Sequence, residues 1–447
     1  MIRRRKEHAN NSQPGMNNKT QDNDMLDKLQ KKTFGYFLHE TNPANGLVID
    51  KTAHNWPASI AATGLALACY PVAVERGFLS KAAAVEITLA TLRFFWNSPQ
   101  GPEPDATGYK GFYYHFLDMK TGRRVWECEL STVDTAFLLA GALIAGIYFD
   151  ADTDDEAEIR TLADELYKRT DWQWAQNQGE TLTHGWKPES GFLPYRWKGY
   201  DEAMMLYMLA LGSPTSPLPA SSYHAWTSTY RWEQIYGYEY LYAGPLFIHQ
   251  LSHVWIDFRG IQDAFMHKRN SDYFENSRRA TYVQQQYAIN NPLKFKDYGK
   301  YAWGITASDG PGPENITIDG IDREFFNYLG RGVPYGHDDG TLSPWALTAS
   351  LPFAPEIVLP ALNHCIHQAR MTEFNLYGFK ASFNPTHPGN PGNPYGWWVS
   401  PWHFGINQGP IILMIENYRS GLIWKLMKQC PYLVTGLRRA GFKYGWL

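Results

Sequence analysis

Several classes of protein are excluded by what this sequence has little of. Cysteine is scarce: 4 in 447 residues, at positions 69, 128, 365 and 430, with no Cys-x-x-Cys spacing. Three of the four stand in apolar helical contexts, so they read as reduced core residues rather than a disulfide framework. Net charge of either sign is small, at -3, and the one basic stretch is the N-terminal MIRRRK. Nucleic acid is therefore not expected as a partner. No uninterrupted apolar run reaches the roughly 18–20 residues that span a bilayer; the longest, around 136–149 and 410–426, are broken by glycine and charge. No membrane association is expected. MIRRRK is followed by EHANNSQPGMNNKTQDND and no apolar segment, so no signal peptide is present as written. The expected location is therefore the cytoplasm as written, or the periplasm if the native start differs. A glycine-rich phosphate loop, a Gly-x-Ser-x-Gly elbow and a catalytic cysteine signature are all missing, which leaves nucleotide and serine or thiol chemistry without support. No cofactor is implied.

Aromatics are plentiful instead, at 15%, with Trp 17, Tyr 28 and Phe 23. Many sit beside Gly, Pro, Asn and Asp, as in YGWWVSPWHFG (395–405), where a core helix would not put them. Exposed aromatic faces stack on the apolar C–H faces of sugar rings.

Residues 1–24 are polar and are expected to be a disordered tail. From residue 25 onward the pattern is helical. Met25, Leu26, Leu29, Phe34, Phe37 and Leu38 fall largely on one face, and further helical segments follow near 57–76, 80–97, 131–149, 154–177, 201–211, 245–267, 271–290, 344–351, 355–369, 408–428 and 431–440. Ser80 and Thr153 read as N-caps, and Pro355-Glu356 as a helix start. Strand-like stretches are few: 111–118, 191–197 and 303–309. About a dozen helices without a linker or repeat predict one all-α domain over 25–447, an (α/α)6 toroid of six helical hairpins with long loops and a few short strands around one mouth.

The acids fall into clusters. WECELSTVDTAFLLAG holds Glu127, Glu129 and Asp134; Ser131 reads as an N-cap with Asp134 as its capping-box acid, a structural use weighed evenly against a functional one. Glu129 is either a mouth residue or a paired buried acid. In WKGYDEAMMLYMLALGSP, Asp201 and Glu202 open a helix after Trp197 and Tyr200; acids there complement the helix dipole, or one of them enters an aromatic pocket. His249, His253 and Asp257 are spaced i, i+4, i+8 on one predicted helix. His-x-x-x-His is a metal spacing, but no third ligand is placed and hydrogen-bonding histidines are favoured, so no metal is expected. Arg259 could pair with Asp257. Asp309, Asp338 and Asp339 stand in glycine turns near Trp345, Trp397 and Trp402. Carboxylates with aromatics suit glycoside hydrolysis.

Several long motifs, among them ELSTVDTAFLLAGAL, GYDEAMMLYMLALGSPTSPLPAS, PLFIHQLSHVWIDFRGIQD, YAWGITASDGP, DDGTLSPWALTASLPFAPE and INQGPIILMIENYRSGLIWKL, resemble the bacterial glucoamylase-like family that includes the endo-β-1,2-glucanases. The resemblance covers about 30–447. It implies an (α/α)6 toroid and hydrolysis of β-1,2-linked glucan or gluco-oligosaccharides with inversion at the anomeric carbon. It matches Glu202 to the family's Gly-Tyr-Asn-Glu acid, with Asp201 in place of the asparagine, matches Asp134 to the acid of Ser-Thr-x-Asp-Thr, and implies that Asp338 and Asp339 lie in the cleft. On that reading Glu202 is the general acid, and Asp134 ranks ahead of Glu129 and Asp339 as the base. Trp197, Tyr200, Trp397 and Trp402 are stacking candidates; His249, His253, Arg259 and Asp309 are hydroxyl-binding candidates. The partner is an oligo- or polysaccharide; the oligomeric state is not legible. A lyase or epimerase on the same scaffold, or a non-catalytic glucan-binding protein, are the alternatives.

Overall fold

The structure is a computed structural model that describes residues 14–389 and 391–447, with side chains from residue 19. Helices dominate, joined by long loops that carry short strands of five residues or fewer. Helix starts follow the capping chemistry. The hydroxyls of Ser80, Ser131 and Thr153 accept from the backbone N–H three residues on and open Lys81–Asn97, Thr132–Tyr148 and Asp154–Lys168.

Two kinds of helix can be told apart by where their apolar residues fall. Ile60–Glu75, Thr132–Tyr148, Met204–Gly212, Leu251–Trp255, Pro344–Ala349 and Gly405–Arg419 are buried over nearly all their surface, as expected of helices inside a core. Ile60–Glu75, Thr132–Tyr148, Met204–Gly212 and Leu251–Trp255 contact one another in sequence, Pro344–Ala349 packs on Gly405–Arg419, and Gly405–Arg419 returns to pack on Ile60–Glu75. Between Leu251–Trp255 and Pro344–Ala349 the link is a side chain: Gln250 Nε2 donates to Ala346 O (2.6 Å) and Ser350 Oγ (2.8 Å). The first two helices cross at glycines, where a Cβ on Gly141 would stand 1.9 Å from Gly64 O.

Less completely buried helices lie outside these. Pro14–His39 packs on Gly405–Arg419, Lys81–Asn97 on Ile60–Glu75, Asp154–Lys168 on Thr132–Tyr148, Pro431–Arg439 on Met204–Gly212, and Pro355–Asn363 on Pro344–Ala349. Tyr273–Asn290 covers the turn Leu246–His249. One apolar cluster runs through all of this, from Met25 to Phe442. The four cysteines are buried free thiols within it. Among the described residues no helix is long and apolar enough to cross a membrane.

The structure corrects several expectations. The first helix begins at Pro14, so 14–24 is helical rather than tail; an Asp24–Lys28 pair one turn apart ties the end of this stretch to the next turn. Residues 1–13 of the expected tail lie outside the described residues. The helix expected from Asp201 starts at Met204. Asp201 Oδ1 accepts from Ala203 N (3.0 Å), a side-chain turn that competes with helical bonding. The expected 245–267 helix is three short pieces, Leu246–His249, Leu251–Trp255 and Ala264–Lys268. Chain buried on all sides has no polar face to reveal its period, and the backbone is extended at Ile256. His249, His253 and Asp257 therefore do not form one helical stripe. Two hairpins, Trp232–Leu241 and Glu314–Phe325, were not anticipated.

Candidate active site

The six buried helices present their N-terminal ends to one cavity of about 540 Å³. Ser59, Ser131, Glu202, Leu251, Trp345 and Phe404 line it, each within the first residues of a different buried helix or just before it. Helix N-termini carry partial positive charge and unpaired N–H groups. Acids collect where that charge converges: Asp50, Glu129, Asp134, Glu202 and Asp309 all line the cavity, with Lys51, His115 and His184 as its basic groups.

Glu202 comes from the turn before Met204. Its backbone is held by Ser252 Oγ, which donates to Glu202 O (3.2 Å). Among the described residues no side chain hydrogen-bonds its carboxyl. Burial, with the Asp134 charge added, lifts its pKa from 4.5 to about 7. The helix dipole favours the charged form, but here desolvation wins, and Glu202 holds a proton near neutral pH.

Asp134 stands in the first turn of Thr132–Tyr148. The Ser131 hydroxyl caps Asp134 N and donates to Asp134 Oδ2 (2.5 Å). The carboxylate is thus not spent on the Ser131 N–H, as a full capping box would require, and it faces the cavity. Glu129 precedes the strand Leu130–Ser131, and its Oε1 lies 2.9 Å from His115 Nδ1. Burial raises the Glu129 pKa, but the His115 hydrogen bond and charge outweigh it and hold the group below its usual value. Trp197 and Asp309 also reach the cavity. Trp197 Nε1 donates to Thr132 Oγ1 (3.0 Å), and its ring stacks on His184 at 3.9 Å. Asp309 Oδ2 accepts from Ser400 Oγ (2.8 Å).

The other candidates stand elsewhere. Asp201 turns away from the cavity and accepts from Trp226 Nε1 (3.0 Å); burial, then the Glu202 charge, push its pKa well up. Tyr200 packs in the interior against His249 and Tyr273. Burial pushes His249 down to about 4 and His253 to about 3, so both are neutral; His249 Nε2 pairs with Ala243 O and His253 Nε2 with Ser277 Oγ. Arg259 makes a two-bond pair with Asp257 (2.7 and 2.8 Å). Asp338 accepts from Tyr298 OH (2.7 Å). Asp339 is locked to Arg331 in an ion pair in which both side chains are 0% exposed. Trp397 lines a separate cleft with Tyr301 and His364, and Trp402 lies outside the cavity lining, 5.8 Å from Lys51 Nζ.

Sequence reasoning missed Asp50, Trp56, His115, Trp126, His184 and Tyr328. Asp50 accepts from Trp56 Nε1 (3.0 Å), and burial raises its pKa. Trp56 and Trp126 meet edge-on at 4.8 Å on the cavity rim, and Trp126 is 55% exposed. Trp126 and Glu127 both have left-handed backbone (φ 57° and 49°), a conformation that costs energy for bulky side chains and marks functional sites. Desolvation of the Tyr328 hydroxyl at the cavity, then the charges of Asp50, Glu202, Asp309 and Asp134, raise its pKa, although the side chain as a whole is half-exposed. A Trp beside a Pro, in NWPAS, was the available signal for Trp56; none marked His115.

A helical scaffold that gathers carboxylates and tryptophans at one mouth has the features of a carbohydrate-processing protein, and comparison with known proteins agrees. A family model described as "Putative glucoamylase" matches residues 194–431, and the chain belongs to this glucoamylase-like family. A solved structure from Bacteroides uniformis with the same description is 30% identical, with a TM-score of 0.84, covering 95% of this chain and 98% of that one. An endo-β-1,2-glucanase from Chitinophaga pinensis, solved with sophorotriose and glucose, is 27% identical with a TM-score of 0.83, covering 95% and 99%. The exo β-1,2-glucooligosaccharide sophorohydrolase (non-reducing end) of Parabacteroides distasonis is 27% identical over 452 residues and 94% of this chain. The chain spans 58% of the length of that curated relative.

Proposed function

We propose that the protein is a glycoside hydrolase that cleaves β-1,2-linked glucan or gluco-oligosaccharides, with inversion of the anomeric carbon. The observation that carries this is Glu202: a carboxylic acid lifted to about 7 in an acid-lined cavity with tryptophans at its wall and rim. Two relatives named for β-1,2-linked substrates support the linkage. Glu202 protonates the leaving oxygen, and an ionised carboxylate activates the water on the opposite face. Asp134 is the base, on its place in the cavity wall and its electrostatic coupling to Glu202; Glu129 is second. Trp197, Trp56 and Trp126 offer the stacking faces, and Asp309 a hydroxyl acceptor. The six buried helices and their outer partners are read as an (α/α)6 toroid, and residues 25–447 as one catalytic domain.

The test is release of reducing ends from linear glucans of different linkage, with the anomeric form of the fresh product followed by proton NMR. New reducing ends from β-1,2-glucan, born as the α-anomer, are expected. A folded protein that binds β-1,2-glucan and releases nothing would leave a binding protein. An unsaturated product absorbing in the near ultraviolet would make it a lyase.

A further inference from the structure

We propose that His115 is a positioning residue that stands as a cation between Glu129 and Asp134, keeping both ionised so that the cavity's proton resides on Glu202. The catalytic part of this rests on the hydrolase reading above; the electrostatic part does not.

The geometry makes the case. His115 Nδ1 is 2.9 Å from Glu129 Oε1, and Nε2 is 3.6 Å from Asp134 Oδ2. A neutral imidazole has one N–H and one lone pair, so in either tautomer one carboxylate would face a lone pair. Only the imidazolium offers a proton to both. Backbone bonds fix the residue's place, and one ring contact packs the imidazole. His115 N donates to Glu129 O (3.0 Å), Ile60 N donates to His115 O (3.3 Å), and Phe116 stacks on the ring at 3.9 Å.

The charges around it favour the same state. Asp134, Glu129 and Asp50 all face the ring and, against the opposing effect of burial, lift it to about 9. Other charged or titratable neighbours act one step away: Lys51 on Asp50, Lys187, His184 and Cys128 on Glu129, and Glu202 and Tyr328 through Asp134. Among the described residues no Lys or Arg makes an ion pair with Glu129 or Asp134. Remove the imidazolium, and three carboxylates share the wall, with the neutral donors Ser131 on Asp134 and Trp56 on Asp50 and, among the described residues, no donor side chain on Glu129. Like charges at close range then hold a proton to higher pH, and the water-activating carboxylate is lost at pH values where the wild type works.

Two measurements test this. With His115→Gln, the acid limb of kcat/KM on β-1,2-gluco-oligosaccharides is expected to move up by about one pH unit or more, so activity falls more at pH 5.5 than at pH 8. An equal loss at every pH would mean a structural role and overturn the proposal. The second needs no substrate: NMR of 15N-histidine-labelled protein, with His115 assigned through its contact with Phe116. Both ring nitrogens should remain protonated through neutral pH, and Asp134→Asn should lower the His115 midpoint by about one unit or more. A neutral ring at pH 7, or a midpoint that Asp134→Asn leaves in place, would overturn it. If no glucan is cleaved, the NMR result still decides, and that failure falls on the hydrolase reading alone. If His115→Gln does not fold, the Asp134→Asn titration decides by itself.

Discussion

Glu202→Gln should abolish activity and at the same time stabilise the protein at alkaline pH. The reasoning runs through linkage. Glu202 has a folded-state pKa of about 7 against an ordinary 4.5. Between those values the native state binds the proton and the unfolded state does not, so stability falls as pH rises through the window and the loss is complete above about 7. At about 1.4 kcal/mol per pH unit, the full loss is about 3 kcal/mol. Glu202 is only partly buried as a residue, and screening through the cavity reduces this to about 1–3 kcal/mol. Glutamine keeps the shape and carries no charge. The variant should match wild type near pH 4.5 and exceed it by about 1–3 kcal/mol at pH 8, read by reversible denaturant unfolding at both pH values. A variant equally stable or equally destabilised at both would show that Glu202 titrates as an ordinary exposed acid, and the argument for its catalytic role would fail.

The neighbouring acid should behave differently. Asp201→Asn keeps the acceptor for Ala203 N and Trp226 Nε1 and removes a buried acid whose raised pKa also costs stability as pH rises. It should leave kcat within about tenfold and not lower the melting temperature at pH 8; a loss as large as that of Glu202→Gln would show that the two acids act together. Arg331→Met strands the buried Asp339 charge and should cost about 3–5 kcal/mol in denaturant unfolding; a change below about 1 kcal/mol would mean the pair is solvated. Trp126→Ala removes an exposed ring at the rim and should raise KM for oligosaccharides about tenfold, with a smaller change in kcat; an unchanged KM would remove Trp126 from the substrate's path.

The parts of the fold that were legible in sequence are those where local chemistry is explicit. Ser80, Ser131 and Thr153 announce their helices because a hydroxyl cap is a three-residue event. The run 245–267 misled because a segment buried on all sides shows no period, and its breaks depend on Gln250 reaching across to Ala346 and Ser350. The site divides the same way. Asp134, Glu129 and Glu202 reach the cavity from at or just before helix starts, where signals are local, and Trp197 and Asp309 reach it from loops. His249 and His253 drew attention by spacing alone, yet both are neutral core groups. His115 went unseen because its relation to Glu129, 14 residues on, exists only once strand Phe112–Tyr114 pairs with Leu130–Ser131. Asp50 and Tyr328 join the site by longer-range closure still.

The most direct test of the account is the pH dependence of kcat/KM on β-1,2-gluco-oligosaccharides, wild type beside Glu202→Gln. The account predicts an alkaline limb that breaks at about 7 in the wild type, where Glu202 loses its proton, and a loss of at least about a hundredfold in the variant. A wild-type rate that stays level to pH 9, or a variant that keeps the wild-type rate, would contradict it.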